Sequence, residues 1–527
     1  MRASFLYLSI YLSFFQKSIT IYVLYFAPRQ NSMERKRGAT APAGPAAAPA
    51  GPAAATAGPA AAPAAAPAAA PAVLQCLPAL HVGGVERGTL EIDAAAAQYH
   101  HRSLVASSGG PLVLQLGGVH LCSRSLRWRN PVAVLLINPL LIARWAACHR
   151  VHIVHARSRC LAIAALVARW LLRPRRVYVV VTWHGFYSGH SRWRRALNGL
   201  LLRADRLILP SRAVARHLRQ QYPEAAQAGE AARWRVVWRG VEVQAWGGTE
   251  QAEQAAEATE AAGTAEAAGV EVVEEAASGA ARERVVLCVG RISATKGQDM
   301  LLEAMPTLGR PLHAILLGDC EGGGAGDAGG VGGGGGGLRS WRQLLLAALR
   351  HAAHRPRSYR ALLLAAAAGA RVRGVRVSLL PHGNTACVAA HYAAADVVVV
   401  PSRRPEAFGR VMVEAIAAGR LVVAYHHGAA GELAALLWAH GAEGGGGADV
   451  FPAVVLSPGV LLLGAVLLVA PCDTRGLACA IAAALDIPAA ERQRRTRAAQ
   501  AAVRARLGLR AFAARTFEVY AELDTGR

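Results

Sequence analysis

The feature that most constrains the fold is an alternation of short apolar segments with helical segments, which occurs as two separate series. Strands that alternate with helices form parallel sheets covered on both faces. We therefore predict an α/β chain with two Rossmann-like domains, whose sheets face an interdomain cleft. The predicted strands are Val73–Leu77, Ile153–His155, Val177–Thr182 and Leu207–Leu209, then Val285–Val289, His313–Leu317, Val375–Leu380, Val397–Val400 and Leu421–Ala424. The predicted helices include Leu161–Leu172, Ala213–Gln221, Asp299–Met305 and Val411–Ala418.

Segments of unusual composition mark the domain borders. An Ala/Pro-rich stretch, an acidic stretch with eight glutamates and a glycine tract cannot bury a core, so we expect all three to be disordered. The predicted parts are a hydrophobic segment and disordered linker (1–72), a first Rossmann-like domain (73–246), an acidic insertion at the junction (247–281), a second Rossmann-like domain (282–480) with a glycine-rich loop (322–337), and C-terminal helices (481–527).

The N-terminal segment from Phe5 to Ala27 has two apolar runs separated by Gln16-Lys17-Ser18. About 20 apolar residues can span a bilayer, but a lysine near the middle costs roughly 2.5–3.5 kcal/mol. A signal anchor, an organellar transit segment and a mistaken start upstream of Met33 all account for this pattern. Peripheral or single-anchor membrane association, and a chloroplast or endomembrane location, therefore stay open.

The net charge of +24 raises the question of nucleic-acid binding. Its arginines are dispersed through the chain and no nucleic-acid-binding motif is present, so we predict no nucleic-acid partner. A basic surface also suits an anionic small substrate or membrane face. The nine cysteines lack the spacing of a zinc site, which favours free thiols in a reducing compartment.

The most informative segment begins at Pro401 and contains Glu406 and Glu414. A predicted strand ends at Val400, and a predicted helix begins near Gly409, so backbone N–H groups at the helix start face the carboxyl edge of the sheet. Such an edge binds phosphate groups. The two glutamates can then reach different parts of one ligand, because Glu414 lies about one and a half turns into the helix.

A second segment runs from a predicted buried strand into Gly290 and then presents Arg291 and Lys296. Two cations at the mouth of a cleft can neutralise a departing diphosphate. Lysine otherwise occurs only at Lys17 and Lys36, and nearly all other positive charge is arginine. An ordinary surface cation in this chain would therefore be arginine, which favours a specific role for Lys296.

The segment Pro405-Glu-Ala-Phe-Gly, followed by Glu414, resembles the donor-site motif of glycosyltransferase family 4. The resemblance implies the GT-B fold, with the nucleotide-sugar donor bound by the second domain and the acceptor by the first. It implies that Glu406 binds the donor sugar and Glu414 the ribose, and that Arg291 and Lys296 grip the diphosphate. The same resemblance gives the diphosphate backbone amides from Ala407, Phe408, Gly409, Arg410 and Val411.

The first half contains a glycine pair, Gly83-Gly84, after the first strand, where backbone can approach a ligand closely. It resembles the opening G-G loop of the family. A T-x-H-G setting implies that His184 lies near the donor sugar. The stretch containing Arg157 and Arg159 is similar to that of bacterial lipopolysaccharide-core members, where these arginines meet an acceptor or a phosphate.

The function implied is sugar transfer with retention at the anomeric carbon, from a nucleotide-sugar to a glycolipid or polysaccharide acceptor. The sequence has no D-x-D to hold a divalent ion, so we expect a metal-independent hexosyltransferase that needs no cofactor. The family also implies C-terminal helices that pack on the second domain and cross back to the first. Two alternatives stay open, namely another GT-B enzyme such as a nucleotide-sugar epimerase or phosphorylase, and a catalytically silent sugar-binding scaffold.

Overall fold

The computed structural model describes most of the chain after the Ala/Pro-rich stretch. The described residues are 71–81, 83–187, 191–227, 229–246, 283–319, 359–383, 385–443 and 453–524. The disorder predicted for the N-terminal segment up to residue 70, for the acidic insertion and for the glycine-rich loop lies outside these residues. No helix within the described ranges is both long and apolar enough to cross a membrane.

The first sheet is formed by seven strands. They are β1 (Ala72–Cys76), β2 (Arg102–Ser107), β3 (Val119–Cys122), β4 (Val151–Ala156), β5 (Tyr178–Thr182), β6 (Arg206–Leu209) and β7 (Trp234–Val236). They lie parallel in the order β3-β2-β1-β4-β5-β6-β7. The central strand β1 is buried along its whole length, because helices cover both of its faces.

Helices connect these strands and cover the sheet. They are α1 (Gly84–Ala95), α2 (Asn138–Cys148), α3 (Arg159–Leu171), α4 (Arg192–Leu200), α5 (Arg212–Gln221) and α6 (Pro223–Gln227). Serine starts two of them, because its hydroxyl accepts a hydrogen bond from the first turn. Ser158 accepts from the amide of Leu161 at 3.3 Å, and Ser211 from the amide of Val214 at 3.2 Å.

The second sheet contains eight described strands. They are β8 (Arg284–Val289), β9 (Leu312–Leu317), β10 (Val375–Leu380), β11 (Val397–Val400), β12 (Leu421–Tyr425), β13 (Val454–Ser457), β14 (Val460–Leu463) and β15 (Val466–Val469). Their order is β10-β9-β8-β11-β12-β15-β14-β13. The first six strands in this order are parallel, and β14 and β13 add an antiparallel edge.

The helices of the second half are α7 (Gln298–Ala304), α8 (Tyr359–Val372), α9 (Thr385–Ala394), α10 (Arg410–Ala417), α11 (Ala430–Glu443), α12 (Thr474–Asp486), α13 (Ala489–Leu507) and α14 (Leu509–Asp524). Both halves thus show the doubly wound order of a Rossmann-like sheet, with the first strand of each half next to its fourth. The predicted α/β class with two parallel-sheet domains is confirmed.

The last two helices belong to different cores. Residues of α13 such as Val503 are buried with the second sheet. By contrast, Phe517 and Tyr520 of α14 are buried with Val73 and Val180 of the first sheet. The Tyr520 hydroxyl also lies 2.6 Å from Nδ1 of His155, which fixes α14 against the first sheet.

Candidate active site

The loops that follow β8 and β11 bring Lys296 and Glu406 together. The Lys296 ammonium lies 2.6 Å from Oε1 of Glu406, and the Ser402 hydroxyl donates to the same oxygen at 2.5 Å. The two loops approach closely because Gly297 has φ +68° and a Cβ there would overlap the carbonyl oxygen of Pro401. A glycine is thus required for this pair to form.

Glu406 is ionised at neutral pH. Burial raises the pKa of its carboxyl, but the charge and hydrogen bond of Lys296, with the Ser402 hydroxyl, outweigh that effect and hold the pKa below its ordinary value. The loop after β12 holds the Glu406 loop in place. Nε2 of His427 lies 2.7 Å from the Ser402 carbonyl oxygen, and the Ala429 amide donates to the Glu406 carbonyl at 2.9 Å. The site therefore holds a fixed negative group beside a fixed cation.

Helix α10 begins directly after this loop. Gly409, with φ +86°, precedes its first residue, and no side chain caps the helix start. The Met412 amide donates to the Gly409 carbonyl at 3.1 Å, so the amides of Arg410 and Val411 are the ones that suit a ligand. Phe408 points into the core at 5% exposed, and Ala407 packs against the core of the first domain. Val411 lies partly buried in the first turn.

Glu414 is held by protein groups in this structure. Its Oε1 accepts from Nε of Arg410 at 2.7 Å, and its Oε2 accepts from the Tyr392 hydroxyl at 3.3 Å. The side chain of Arg410 also lies 2.9 Å from Oε1 of Glu91 on α1. The segment that carries both glutamates thus contacts the first domain directly.

Gly290 and Arg291 follow β8 at the same edge of the sheet. The buried side chain of Gln298 donates to the Arg291 carbonyl at 2.8 Å and so fixes this turn. Arg291 is exposed. Burial raises the pKa of the Glu86 carboxyl on α1, and the smaller opposing effects of the charges of Arg239 and then Arg291 do not outweigh it.

Gly83 and Gly84 lie at the start of α1, on the first-domain side. The carbonyl of Gly84 accepts a hydrogen bond from Arg239, whose Nη2 lies 2.7 Å from Nδ1 of His184. Burial and then the charge of Arg239 lower the pKa of His184 well below its ordinary value, so the imidazole is neutral. Since Nδ1 accepts from Arg239, Nε2 carries the proton. This buried Nε2 has no hydrogen-bond partner among the described residues.

The two arginines proposed together on the first domain separate in the structure. Arg157 is 3% exposed and donates through Nε to the Gln75 amide oxygen at 2.9 Å. Arg159 starts α3, and its guanidinium carbon lies 4.6 Å from the ring centre of Tyr187. Arg239, for which the sequence analysis predicted no role, lies near Arg157 instead.

Further contacts join the two domains around this site. Both carboxylate oxygens of Glu432 on α11 accept backbone hydrogen bonds from the start of α5, from Arg212 and Ala213, at 2.7 Å each. Arg87 of α1 donates to the Thr385 hydroxyl at 3.2 Å. These contacts hold α1 and α5 of the first domain against α9 and α11 of the second. No group of three or more potential metal ligands occurs in the part of the chain that the structure describes.

Family models match both halves. The model described as Glycosyltransferase Family 4 matches residues 82–245, and the model described as Glycosyl transferases group 1 matches residues 342–444. The chain belongs to the family 4, group 1 glycosyltransferases. This glycosyltransferase is thus a retaining enzyme that uses a nucleotide-sugar donor. No curated protein sequence matches it.

Solved structures share the fold of this glycosyltransferase. A glycosyltransferase from Rickettsia africae is 22% identical, with a TM-score of 0.60, over 86% of this chain and 98% of that one. The Anabaena protein HepE, in complex with UDP and glucose, is 19% identical, with a TM-score of 0.59, over 86% and 99%. A sucrose-phosphate synthase from Thermosynechococcus elongatus is 19% identical, with a TM-score of 0.56, over 87% and 100%.

Proposed function

We propose that this glycosyltransferase transfers a hexose from a UDP-sugar to an acceptor in the cleft between its two domains, without a metal ion. The observation that carries the proposal is the 2.6 Å contact between Lys296 and Glu406 at the carboxyl edge of the second sheet, where Arg291 also follows β8. UDP as the donor base is supported by relatives of the same fold, since HepE has been solved with UDP-glucose.

The roles in this proposal follow from charge. Negative charge builds on the diphosphate as the bond to the sugar breaks, and fixed cations stabilise that charge without reorganisation. Arg291 and Lys296 supply the cations, and the free amides at the start of α10 add their dipoles. The ionised Glu406 accepts hydrogen bonds from sugar hydroxyls and favours positive charge on the reacting carbon.

The remaining donor-side residues bind the nucleotide-sugar and orient it. Glu414 exchanges its present partners for the ribose hydroxyls, and Nε2 of His184 donates to the sugar. The backbone groups proposed to contact the donor are those of Gly83, Gly84, Gly290, Ala407, Phe408, Gly409, Arg410 and Val411.

The acceptor side is the first domain. We propose a glycolipid or polysaccharide acceptor, by likeness to lipopolysaccharide-core members, with Arg157 and Arg159 on that side and with peripheral or single-anchor membrane association. We also propose the domain limits 73–246 and 282–480, with 481–527 crossing back. The cellular location of the protein depends on residues 1–32, which lie outside the described residues.

A donor panel tests the proposal. The full chain is incubated with UDP-, GDP- and ADP-hexoses, and release of the nucleotide and the fate of the sugar are measured. Lys296→Ala and Glu406→Gln are expected to lower the rate of transfer by about 10²-fold or more while the protein stays folded. Arg310→Ala, which breaks an exposed ion pair with Asp486 elsewhere in the second domain, is the matched control and should keep full activity. Full activity in either site variant would refute the assignment, and epimerised donor or a sugar phosphate would identify another GT-B activity.

A further inference from the structure

Helix α1 of the first domain contacts both α9 and α10 of the second. Arg87 donates to the Thr385 hydroxyl at the start of α9 at 3.2 Å. One turn further along α1, Oε1 of Glu91 lies 2.9 Å from Nη1 of Arg410, the first residue of α10. Arg410 in turn donates to Glu414, the residue assigned to the ribose, at 2.7 Å. The support of this glutamate therefore extends into the first domain.

Arg410 is shared between two carboxylates that come from different domains. Its Nε donates to Glu414, and its Nη1 contacts Glu91. The side chains of Arg410, Glu91 and Glu414 are 16%, 12% and 11% exposed, so solvent screens their charges little. Burial lowers the pKa of Arg410, but the charges of Glu91 and then Glu414 outweigh that effect and raise the pKa overall. One guanidinium that stays charged thus serves two anions.

The two contacts of Arg410 are not equally well formed. Its Nε makes an aligned hydrogen bond to Glu414. By contrast, Nη1 of Arg410 and Oε2 of Glu91 are buried and have no hydrogen-bond partner among the described residues. The contact with Glu91 therefore lacks the paired hydrogen bonds that a guanidinium can make to a carboxylate. A turn of the guanidinium from Glu414 towards Glu91 would gain them.

Glu91 also acts on cations of its own domain. Burial lowers the pKa of Arg157 and of Arg239, and the charge of Glu91 opposes this effect in both. The carboxylate of Glu91 thus lies where cations of the two domains meet. Arg410 is the cation that the second domain brings to this point, so the strength of its pair with Glu91 depends on how the domains are joined.

We propose that Arg410 and Glu91 couple nucleotide binding to the contact between the two domains. When ribose hydroxyls take Glu414, Arg410 turns to Glu91, and the ion pair between the domains becomes stronger. The inference rests on the proposed function, in which Glu414 binds the ribose. Such coupling is reciprocal, so the pair with Glu91 in turn strengthens nucleotide binding. The side chains of Arg410 and Glu91 are positioning groups, because they act on the ribose through Glu414.

This coupling and simple electrostatics predict opposite signs for the loss of Glu91. Removing an anion from the cleft by itself favours binding of a nucleotide that carries negative charge. In the coupled site, Glu91→Gln leaves Arg410 on Glu414, so the ribose must displace a stronger pair and UDP binds more weakly. A glutamate that only balanced the charge of its neighbours would leave the UDP affinity unchanged or raise it.

The test is a calorimetric titration of the full chain with UDP. Glu91→Gln is expected to raise the dissociation constant for UDP about ten-fold. Arg410→Lys keeps the charge but loses the planar fork, so adding Glu91→Gln to this variant should raise the constant by about two-fold or less. The matched control is Glu224→Gln, which breaks an exposed ion pair with Arg195 within the first domain and should bind UDP like the wild type.

Unchanged or tighter UDP binding by Glu91→Gln would overturn the coupling alone, and so would an equal effect of Glu91→Gln in the wild type and in Arg410→Lys. Absence of UDP binding by the wild type would instead refute UDP as the donor nucleotide, and the coupling with it. The melting temperature without nucleotide reports the folding of each variant. If Glu91→Gln does not fold, Glu91→Asp keeps the charge but shortens the reach to Arg410, and weaker UDP binding is again expected; unchanged binding would count against the coupling.

Discussion

Replacing Lys296 with alanine should change both the stability and the activity of the protein. The side chains of Lys296 and Glu406 are 27% and 21% exposed, so their ion pair is neither a surface pair nor a fully buried one. Exposed pairs contribute about 0–1 kcal/mol, whereas breaking a buried pair costs about 3–5 kcal/mol. Since Ser402 still donates to Glu406, we expect a loss of about 1–2 kcal/mol in the free energy of unfolding.

The loss should depend on pH, with a definite sign. In the wild type the pKa of Glu406 is below its unfolded value, so its contribution is present above the unfolded pKa and is lost as the pH falls through the folded pKa. Without Lys296, burial is the dominant effect and should raise the pKa of Glu406. The variant then loses stability as the pH rises through that raised value. The stability gap between the two proteins should therefore be small near pH 3 and widen towards pH 7.

The assay is urea unfolding of the wild type, Lys296→Ala and Lys296→Arg at several pH values between 3 and 8. The arginine variant keeps a cation near Glu406 and should follow the wild-type pH dependence. In parallel, removing one charge that stabilises the transition state should lower kcat by about 10²–10³-fold. A stability gap that does not change with pH would show that the interaction with the ionised Glu406 is not what Lys296 contributes.

Three further substitutions probe other contacts of the fold. Glu432→Ala removes the carboxylate that accepts two backbone hydrogen bonds from the start of α5. The free energy of unfolding should fall by about 0.5–2 kcal/mol, and the radius of gyration in small-angle X-ray scattering should increase. An unchanged radius argues against a role of Glu432 in holding the two domains together. Asp473→Ala removes the side chain that accepts from the Gly476 amide at 2.8 Å at the start of α12. The free energy of unfolding should fall by about 1 kcal/mol, measured as a lower melting temperature, and Asp473→Asn should recover most of this loss. Tyr520→Phe loses the hydrogen bond to His155 and should lower the free energy of unfolding by about 0.5–1.5 kcal/mol in urea titration, and equal stability would show that this bond has no net effect.

Strands at the centre of each sheet could be predicted from the sequence. The segment Val397–Val400 is an uninterrupted run of β-branched residues between turn signals, and β11 has those same limits. Such runs are buried on both faces, so local composition and tertiary position agree. The edge of the second sheet was not predicted, because in β13 to β15 short leucine and valine segments lie close together and do not alternate with helices.

In the candidate site too, residues within a local motif could be predicted, whereas contacts between distant segments could not. Lys296 and Glu406 could be predicted because each lies in a motif that a single stretch of chain contains. Arg239 could not be given a role, because its partners Gly84 and His184 are 155 and 55 residues away in the sequence. The contact between Arg410 and Glu91 joins two domains and depends on their packing. Local patterns carry no information about such pairs.

The chain passes between its two halves at neighbouring points. The Val241 amide donates to the Leu507 carbonyl at 2.8 Å, and a Cβ on Gly240 would lie 2.9 Å from Cα of Leu509, so the outgoing and returning segments run side by side. The two crossings between the halves thus share one point of close packing. Any side chain at position 240 would push the two segments apart, because its Cβ would lie 2.9 Å from both Cα of Leu509 and Cβ of Phe512.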